Sequence, residues 1–273
     1  TTTSSSTDTD SYVRLRIYTL SSAREEQRRN IIRNTWGKYP GNWTLTFILA
    51  LPINEAVDRE IEEYNDIIVG DFVDTYRNIT SKSVLILKMF DTADYHFKTD
   101  SDTYVNIPNL FNIINNQLDF MSHTIGNQIY AGVLSFNAPV FREGKLGLSK
   151  TFFPNDTFTR FALGEGYLLS NQLVKCMSKQ LDAGVAPNPL KFPLEDVYIG
   201  LLSQYCSPTC VQLGTNIMIP WYVWGNICIV DCVYVLLCVL WIVCITILFY
   251  LLSNLTIYLP LSHTIYICHD IGC

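Results

Sequence analysis

Two carboxylates one residue apart, Asp100 and Asp102, follow a short apolar run that ends at Phe97. Their side chains offer only oxygen ligands, which suit Mg²⁺ or Mn²⁺ better than Zn²⁺ or Cu²⁺. Such ions usually keep open positions for the phosphate oxygens of a substrate. The segment therefore predicts a site for a divalent cation together with the diphosphate that it binds.

The context of this pair separates it from a chance occurrence. The same spacing occurs at Asp8-Thr9-Asp10, inside a Ser/Thr tract with no strand before it. Tyr95-His96-Phe97 instead reads as the end of a buried strand, and open α/β sheets bind ligands at the carboxyl ends of their strands. A calcium loop fits poorly, because Tyr104 falls on the third ligand position and no glycine follows it. A solvated acidic turn is the other interpretation.

The elements that must position the pair alternate along the chain. Apolar runs with strand character cover residues 13–20, 44–51, 67–69, 95–99, 128–134 and 166–169. Helical periodicity covers residues 22–36, which open with a Ser22-x-x-Glu25 capping box, and residues 54–64, 81–90, 108–118 and 171–181. This alternation predicts an α/β fold with a mostly parallel sheet.

Charge is distributed unevenly over the 273 residues. All 19 Lys and Arg lie at or before Lys191, and residues 192–273 contain four acids: Glu195, Asp196, Asp231 and Asp270. The first 191 residues thus carry 21 acids against 19 bases. A domain so close to neutral lacks the basic surface of a nucleic-acid-binding protein, and we expect no nucleic-acid partner.

The cysteines and the apolar residues mark a break near the carboxyl end. All nine cysteines lie from Cys176 onward, and residues 232–252 contain no charge. We expect residues 1–11 to be a flexible stem-like lead, residues 12–205 the main domain, and residues 206–273 a hydrophobic, Cys-rich tail. Residues 229–252 are long enough to span a bilayer, with a buried core helix as the alternative. No Lys or Arg flanks this segment to set its orientation.

Several features favour the secretory pathway. Acceptor sequences for N-linked glycans occur at Asn42, Asn78, Asn155 and Asn254, and they matter only on lumenal or extracellular surfaces. In an oxidising lumen Cys176 could pair with Cys206 or with Cys210.

Four arginines cluster on the first predicted helix: Arg24, Arg28, Arg29 and Arg33. They form two i,i+4 pairs, so some of them share a face. One interpretation makes one or two of them counter-charges for a phosphate or contacts to a nucleotide. The other makes them a solvated face that Glu25 and Glu26 partly neutralise.

A series of motifs resembles the β-1,3-galactosyltransferase family, of glycosyltransferase family 31 type. The segment from Arg28 to Gly37, RRNIIRNTWG, resembles that family's RRxxIRxTWG signature. Further similar segments follow in the family's order: Asp66-Ile67-Ile68 with Asp71-Phe72 and Asp74-Thr75-Tyr76, Lys98-Thr99-Asp100-Ser101-Asp102 with Val105-Asn106, Gly164-Glu165-Gly166-Tyr167, and Glu195-Asp196-Val197-Tyr198-Ile199-Gly200. The resemblance covers roughly residues 13–202.

The resemblance implies a glycosyltransferase A type fold, in which a mostly parallel central sheet binds a nucleotide sugar, here with a hydrophobic C-terminal helix in addition. The implied enzyme is a metal-dependent, inverting hexosyltransferase of protein glycosylation. It would move galactose or an N-acetylhexosamine from a uridine diphosphate sugar to the 3-hydroxyl of an acceptor glycan on a glycoprotein or glycolipid. The implied cofactor is Mn²⁺ or Mg²⁺, and the implied location is the Golgi membrane with the catalytic domain in the lumen.

The resemblance also assigns roles to residues. Asp102, with Asp100 in support, would hold the metal, and Arg29, Arg33, Lys98, Asp100 and Gly166 would bind the donor. Asp196 would be the general base, with Glu195 as the less favoured choice. For both acids the other interpretation is a helix amino-terminal turn, where Pro193 comes just ahead and acids complement the helix dipole.

The sequence departs from the family pattern after Gly200. Family domains continue with a segment that closes the acceptor side and often contributes a histidine to the metal, whereas here the membrane-like run follows. His263 and His269 cannot be matched to that ligand. The alternative function is therefore a catalytically inactive, membrane-tethered relative that binds a sugar or nucleotide.

Overall fold

The computed structural model describes residues 13–89, 92–118, 121, 126–144, 146–214 and 216–220 of the chain. The lead at residues 1–11 and the candidate membrane segment at 229–252 lie outside the described residues, and the predictions about them stay predictions. Among the helices of the described part, none is both long enough and apolar enough to cross a bilayer.

A mixed seven-stranded sheet forms the centre of the fold. Its spatial order is β3-β2-β1-β4-β7-β6-β8. The strands in chain order are β1 (Leu15–Leu20), β2 (Trp43–Leu51), β3 (Ile67–Val73), β4 (Tyr95–Asp100), β6 (Ile129–Ser135), β7 (Phe161–Ser170) and β8 (Thr209–Gln212), and a separate antiparallel pair joins β5 (Thr103–Val105) to β9 (Met218–Pro220). Within the sheet β7 alone runs against its neighbours, so the predicted mostly parallel sheet is confirmed.

Helices connect these strands, and some of them begin at a residue whose side chain caps the first turn. They are α1 (Glu26–Asn34), α2 (Glu55–Tyr64), α3 (Ile79–Lys88), α4 (Ile107–Ile113), α5 (Asn171–Asp182) and α6 (Glu195–Gln204). The Ser22 backbone N–H donates to Glu25 Oε2 over 2.8 Å ahead of α1, as the capping box predicts. At the start of α2 the Val57 N–H donates to Asn54 Oδ1 over 3.1 Å, which satisfies an N–H without an intrahelical partner.

The apolar side chains form a core on each face of the sheet. On one face, Ile32 and Val57 from α1 and α2 pack with Phe47 and Phe97 of the sheet. On the other face, residues of α3, α5 and α6 pack with Tyr130 and Leu169. The result is a three-layer arrangement in which both sheet faces are covered, which explains the apolar run Phe47–Leu51 of β2 and the nearly continuous burial along β1 and β4.

A disulfide joins the middle of α5 to the segment that directly follows α6. Cys176 on α5 bonds to Cys206, which follows α6. This selects Cys206 from the two partners that the sequence allowed.

Candidate active site

A cleft of about 340 Å³ opens at the carboxyl end of β4. One part of its lining is charged, and we call it the acidic wall: Lys98, Asp100, Glu195 and Asp196. Another part is apolar, and we call it the apolar wall: Ala138, Pro139, Phe141, Leu146, Phe158 and Phe161. Concave sites that combine apolar surface with a few convergent polar groups are the usual form of ligand sites.

The carboxylates of Asp100 and Asp196 approach a common point beside Gly164. A Cβ placed on Gly164 would lie 4.0 Å from Asp100 Oδ2 and 3.9 Å from Asp196 Oδ2. The register explains this convergence, because Thr99 of β4 pairs with Gly166 of β7, which places Gly164 beyond the end of β4. A glycine here leaves open the space between the two acids.

Lys98 ties together the two elements of the acidic wall, β4 and α6, and joins both to β7. Its side chain is 3% exposed, and its Nζ donates to Gly164 O over 2.6 Å. The same Nζ lies 2.8 Å from Asp100 Oδ1 and 3.2 Å from Glu195 Oε2. With three acceptors around its three N–H bonds, Lys98 fixes the end of β4 against β7 and α6.

Glu195 and Asp196 are adjacent but face different surroundings. The Glu195 carboxylate is buried, and its Oε1 accepts from Ser83 Oγ over 2.5 Å and from Tyr167 OH over 2.6 Å. Since Oε2 faces Lys98, both oxygens are engaged inside the protein. Asp196 is half-buried and lines the cleft. Of the two acids, Asp196 is therefore the one that a ligand can reach.

Burial raises the pKa values of Asp100 and Asp196 in the acidic wall. It raises the pKa of Asp196 from 3.8 to about 6, with the Glu195 charge adding to the shift. Burial also raises the pKa of Asp100 to about 6; Lys98 opposes this shift, and Glu195 and Asp102 add to it. For Lys98, burial lowers the pKa, but Asp100 and Glu195 outweigh it and the net pKa lies above the ordinary value.

Asp102 lies in the turn between β4 and β5 and is exposed. Its charge contributes to the raised pKa of Asp100, which places the two carboxylates within electrostatic reach of each other. Within the described ranges, no group of three or more His, Cys, Asp or Glu side chains is arranged to hold a metal ion. A cation here would take two protein carboxylates and fill its other positions from water and phosphate, a donor set that fits Mg²⁺ or Mn²⁺.

Comparisons with known proteins bear on this site. The family model described as galactosyltransferase matches residues 27–210, which include the whole acidic wall. The chain belongs to the galactosyltransferase family. Over 195 residues it is 29% identical to beta-1,3-galactosyltransferase 5 of Pan troglodytes, covering 66% of this chain and 62% of the relative.

One more relative and one solved structure are also similar to this chain. The chain is 30% identical over 205 residues to UDP-GalNAc:beta-1,3-N-acetylgalactosaminyltransferase 1 of Mus spicilegus, covering 68% of this chain and 58% of that relative. This galactosyltransferase-family chain therefore spans about 60% of the length of the relatives it matches. Among solved structures, S. aureus TarS is similar with a TM-score of 0.42 and 13% identity, over 74% of this chain and 35% of that chain.

Arg29 and Arg33 of the family signature lie in an internal ion-pair network instead of on the cleft. Arg29 is fully buried and forms two hydrogen bonds to Glu60, of 2.8 and 2.6 Å, with its Nη1 donating to Ser21 Oγ and Ser22 O. Arg33 pairs with Asp66 and Glu60 and lies over the ring of Tyr64. These partners join α1 to α2 and β3, and the geometry argues against donor contact by Arg29.

Gly166, which the sequence assigns to donor binding, is also packed inside the protein and does not line the cleft. A Cβ on Gly166 would lie 2.3 Å from Met218 Sδ and 2.9 Å from Phe97 Cζ, so the absence of a side chain is needed for packing. Gly164, two residues earlier, lines the cleft. The glycine of this family motif that borders the ligand space is therefore Gly164.

Sequence reasoning gave no role to two groups that line the cleft, Tyr76 and Phe141. Burial raises the pKa of Tyr76, and the nearby Asp196 and Asp100 charges add to the rise. The Asp74-Thr75-Tyr76 segment among the family motifs was a signal for Tyr76. No motif marked Phe141.

Proposed function

We propose that this chain transfers a hexose, galactose or an N-acetylhexosamine, from a uridine diphosphate sugar to the 3-hydroxyl of an acceptor glycan, with inversion. One observation carries the proposal: Asp100 and Asp196 converge on the open space beside Gly164 in a member of the galactosyltransferase family. In this arrangement the end of β4, which would receive the diphosphate, lies next to Asp196, a carboxylate that can accept a proton.

Asp196 would act as the general base. An acceptor hydroxyl must lose its proton as it attacks the anomeric carbon, and a carboxylate within hydrogen-bond reach can take that proton. The pKa of about 6 makes Asp196 a stronger base than an ordinary aspartate, while it still ionises at pH 7. The internal hydrogen bonds of Glu195 support Asp196 over Glu195 in this role.

Asp100 and Asp102 would hold a divalent cation, Mn²⁺ or Mg²⁺, which when bound supplies positive charge next to the departing diphosphate. Lys98 would keep Asp100 in place through its ion pair and hydrogen bond to β7. Because the Lys98 ammonium already has three protein acceptors, its part is to orient the acidic wall more than to bind the donor directly.

The Golgi lumen is the compartment we propose. Support comes from the Cys176–Cys206 disulfide, which needs an oxidising environment, and from the exposed acceptor sequences at Asn42 and Asn155. A membrane-tethered chain with its cleft in the lumen would meet glycoprotein and glycolipid acceptors.

The test is a transfer assay with the full chain in detergent. It is incubated with Mn²⁺, a panel of uridine diphosphate sugars and simple β-glycoside acceptors, while released uridine diphosphate and the linkage of the product are measured. We expect a β-1,3-linked product with one of the donors. Binding of uridine diphosphate and Mn²⁺ without transfer to any acceptor would instead support the non-catalytic relative.

A further inference from the structure

The apolar wall of the cleft has no part in the mechanism above. Its aromatic member with the greatest exposure is Phe141, a residue that is 56% exposed although it lines the cleft. Leu146, 37% exposed, lines the same cavity. Exposed apolar side chains that line a cleft together with convergent carboxylates have the composition of a ligand-binding surface.

Hydrogen bonds hold the backbone on both sides of Phe141. The Val140 N–H donates to Asp156 O over 2.9 Å, and the Leu148 N–H donates to Phe141 O over 2.9 Å. Arg142 adds hydrogen bonds to Leu148 O and Phe153 O, of 3.2 and 2.8 Å. With its backbone fixed on both sides, Phe141 is a preorganised surface, which lowers the entropic cost of binding.

Below this segment lies a cluster of packed aromatic rings. The ring centroids of Phe153 and Phe158 are 5.3 Å apart, and those of Phe158 and Phe161 are 6.2 Å apart. Phe153, Phe158 and Phe161 are buried, whereas Phe141 is not. The cluster supports the apolar wall from inside, and Phe141 is the exposed ring of that wall.

The chemistry of the cleft selects the ligand for that ring. The apolar wall contains no charged residue among its members, so it suits neither a diphosphate nor a cation. A pyranose ring presents an apolar face of C–H groups and an edge of hydroxyls. Such a ring can rest on an aromatic side chain while a hydroxyl reaches Asp196, because the carboxylate and Phe141 line one cavity.

We propose that Phe141 binds the acceptor, by contact with the apolar face of its terminal pyranose. This inference rests on the proposed function, since it takes Asp196 as the base that the acceptor hydroxyl must reach. The substrate class is therefore an uncharged pyranoside bound through its ring, and Phe141 contributes to acceptor affinity and not to donor affinity.

The chain supplies a matched control for this residue. Phe136, just after β6, is 59% exposed, nearly the same fraction as Phe141. Among the described residues that line the cleft, Phe136 is absent. Phe136→Ala therefore removes an equally exposed ring from the same segment without changing the cleft.

The experiment compares Phe141→Ala, Phe141→Tyr and Phe136→Ala in the full chain, with methyl and octyl β-D-galactopyranoside and β-D-N-acetylglucosaminide as acceptors. For Phe141→Ala we expect the acceptor KM to rise about tenfold, with unchanged donor KM and unchanged Tm. Phe141→Tyr should restore the acceptor KM, and Phe136→Ala should match the wild type. The rise should be equal for methyl and octyl glycosides.

Several outcomes would overturn this inference. The first is an unchanged acceptor KM in Phe141→Ala, or a rise in its donor KM instead. The second is a loss of acceptor affinity confined to the octyl glycosides, which would assign the contact to the aglycone. The third is an effect of Phe136→Ala equal to that of Phe141→Ala. Binding of the methyl glycosides is also measured by saturation-transfer NMR in the presence of uridine diphosphate and Mn²⁺. Phe141-dependent binding without transfer would contradict the proposed function and sustain this inference, so the two can fail separately.

Discussion

Lys98 and Glu195 form a buried ion pair, with Nζ and Oε2 separated by 3.2 Å, that joins β4 to the first turn of α6. Asp100 lies two residues after Lys98, and Asp196 directly follows Glu195. Asp100 and Asp196 are therefore held in register with each other by the buried pair of Lys98 and Glu195.

Glu195→Gln tests the importance of this pair. Replacing the charge leaves Lys98 with Asp100 as its one carboxylate partner, so the free energy of unfolding should fall by less than the roughly 3–5 kcal/mol typical of a buried charge that loses every partner. Because the Glu195 charge helps to raise the pKa of Asp196, the acidic limb of the pH–rate profile should also move to lower pH. Denaturant unfolding and kcat/KM against pH measure the two effects. Asp182→Asn, which breaks the exposed Lys88 pair, is the control and should change neither.

Asp196→Asn tests the general base. The amide keeps the size of the side chain but cannot accept the hydroxyl proton, so turnover should fall by about 10² to 10⁴. Affinity for uridine diphosphate, measured by calorimetry with Mn²⁺, should stay at the wild-type value. Turnover close to the wild type in this variant would move the role to another residue.

The raised pKa of Asp196 predicts the pH dependence of the reaction. As pH falls through about 6, Asp196 takes up a proton and kcat/KM should decline. The free energy of unfolding should change with pH in the opposite direction from kcat/KM. The folded protein holds this proton more tightly than the unfolded chain does, so the contribution of Asp196 to the free energy of unfolding decreases as pH rises from about 4 to about 6. Rate and unfolding measurements at matched pH values, with Asp196→Asn as reference, check both signs.

Asp102→Ala tests the cation site. Asp102 is exposed, so its removal should leave Tm unchanged. If it is a ligand, the variant should lose the increase in affinity for uridine diphosphate that Mn²⁺ provides. Calorimetry with and without Mn²⁺ measures this, and an undiminished metal effect would exclude Asp102 as a ligand.

Arg29→Met separates a structural arginine from a donor contact, with its neighbour Arg28→Met as the control. Arg29 is buried against Glu60, whereas Arg28 pairs with Glu25 near the surface. We expect Arg29→Met to lower the free energy of unfolding by about 3 kcal/mol and Arg28→Met to have little effect. In the folded protein neither should change the affinity for uridine diphosphate. A weakened donor affinity in Arg29→Met alone would restore the original assignment.

The parts of the fold that depend on local pattern could be predicted from the sequence. The capping box at Ser22, and the short apolar run that ends at Phe97, depend on residues only a few positions apart. These signals predicted the start of the first helix and the strand that presents Asp100. The mostly parallel order followed from the alternation of the two element types.

The parts that depend on distant partners could not be predicted. The main partner of Arg29 is Glu60, 31 residues away, so a basic helix face looked available for a phosphate. Gly166 packs against Met218, on a strand too short to show a pattern, so the two glycines of one motif looked equivalent. Phe141 lies in an irregular segment, and only the folded loop places its ring in the cleft.

The covalent link between Cys176 and Cys206 bears on how this protein should be produced. Cys206 comes two residues after the end of α6, the helix whose first turn carries Asp196. The disulfide therefore attaches the carboxyl end of α6 to α5. Expression in the cytoplasm of a bacterial host, or storage with dithiothreitol, would leave Cys176 and Cys206 as separate thiols, and the link between α5 and α6 would be lost. Expression through the secretory pathway of eukaryotic cells lets the Cys176–Cys206 bond form, and it is the sound choice for crystals and for assays.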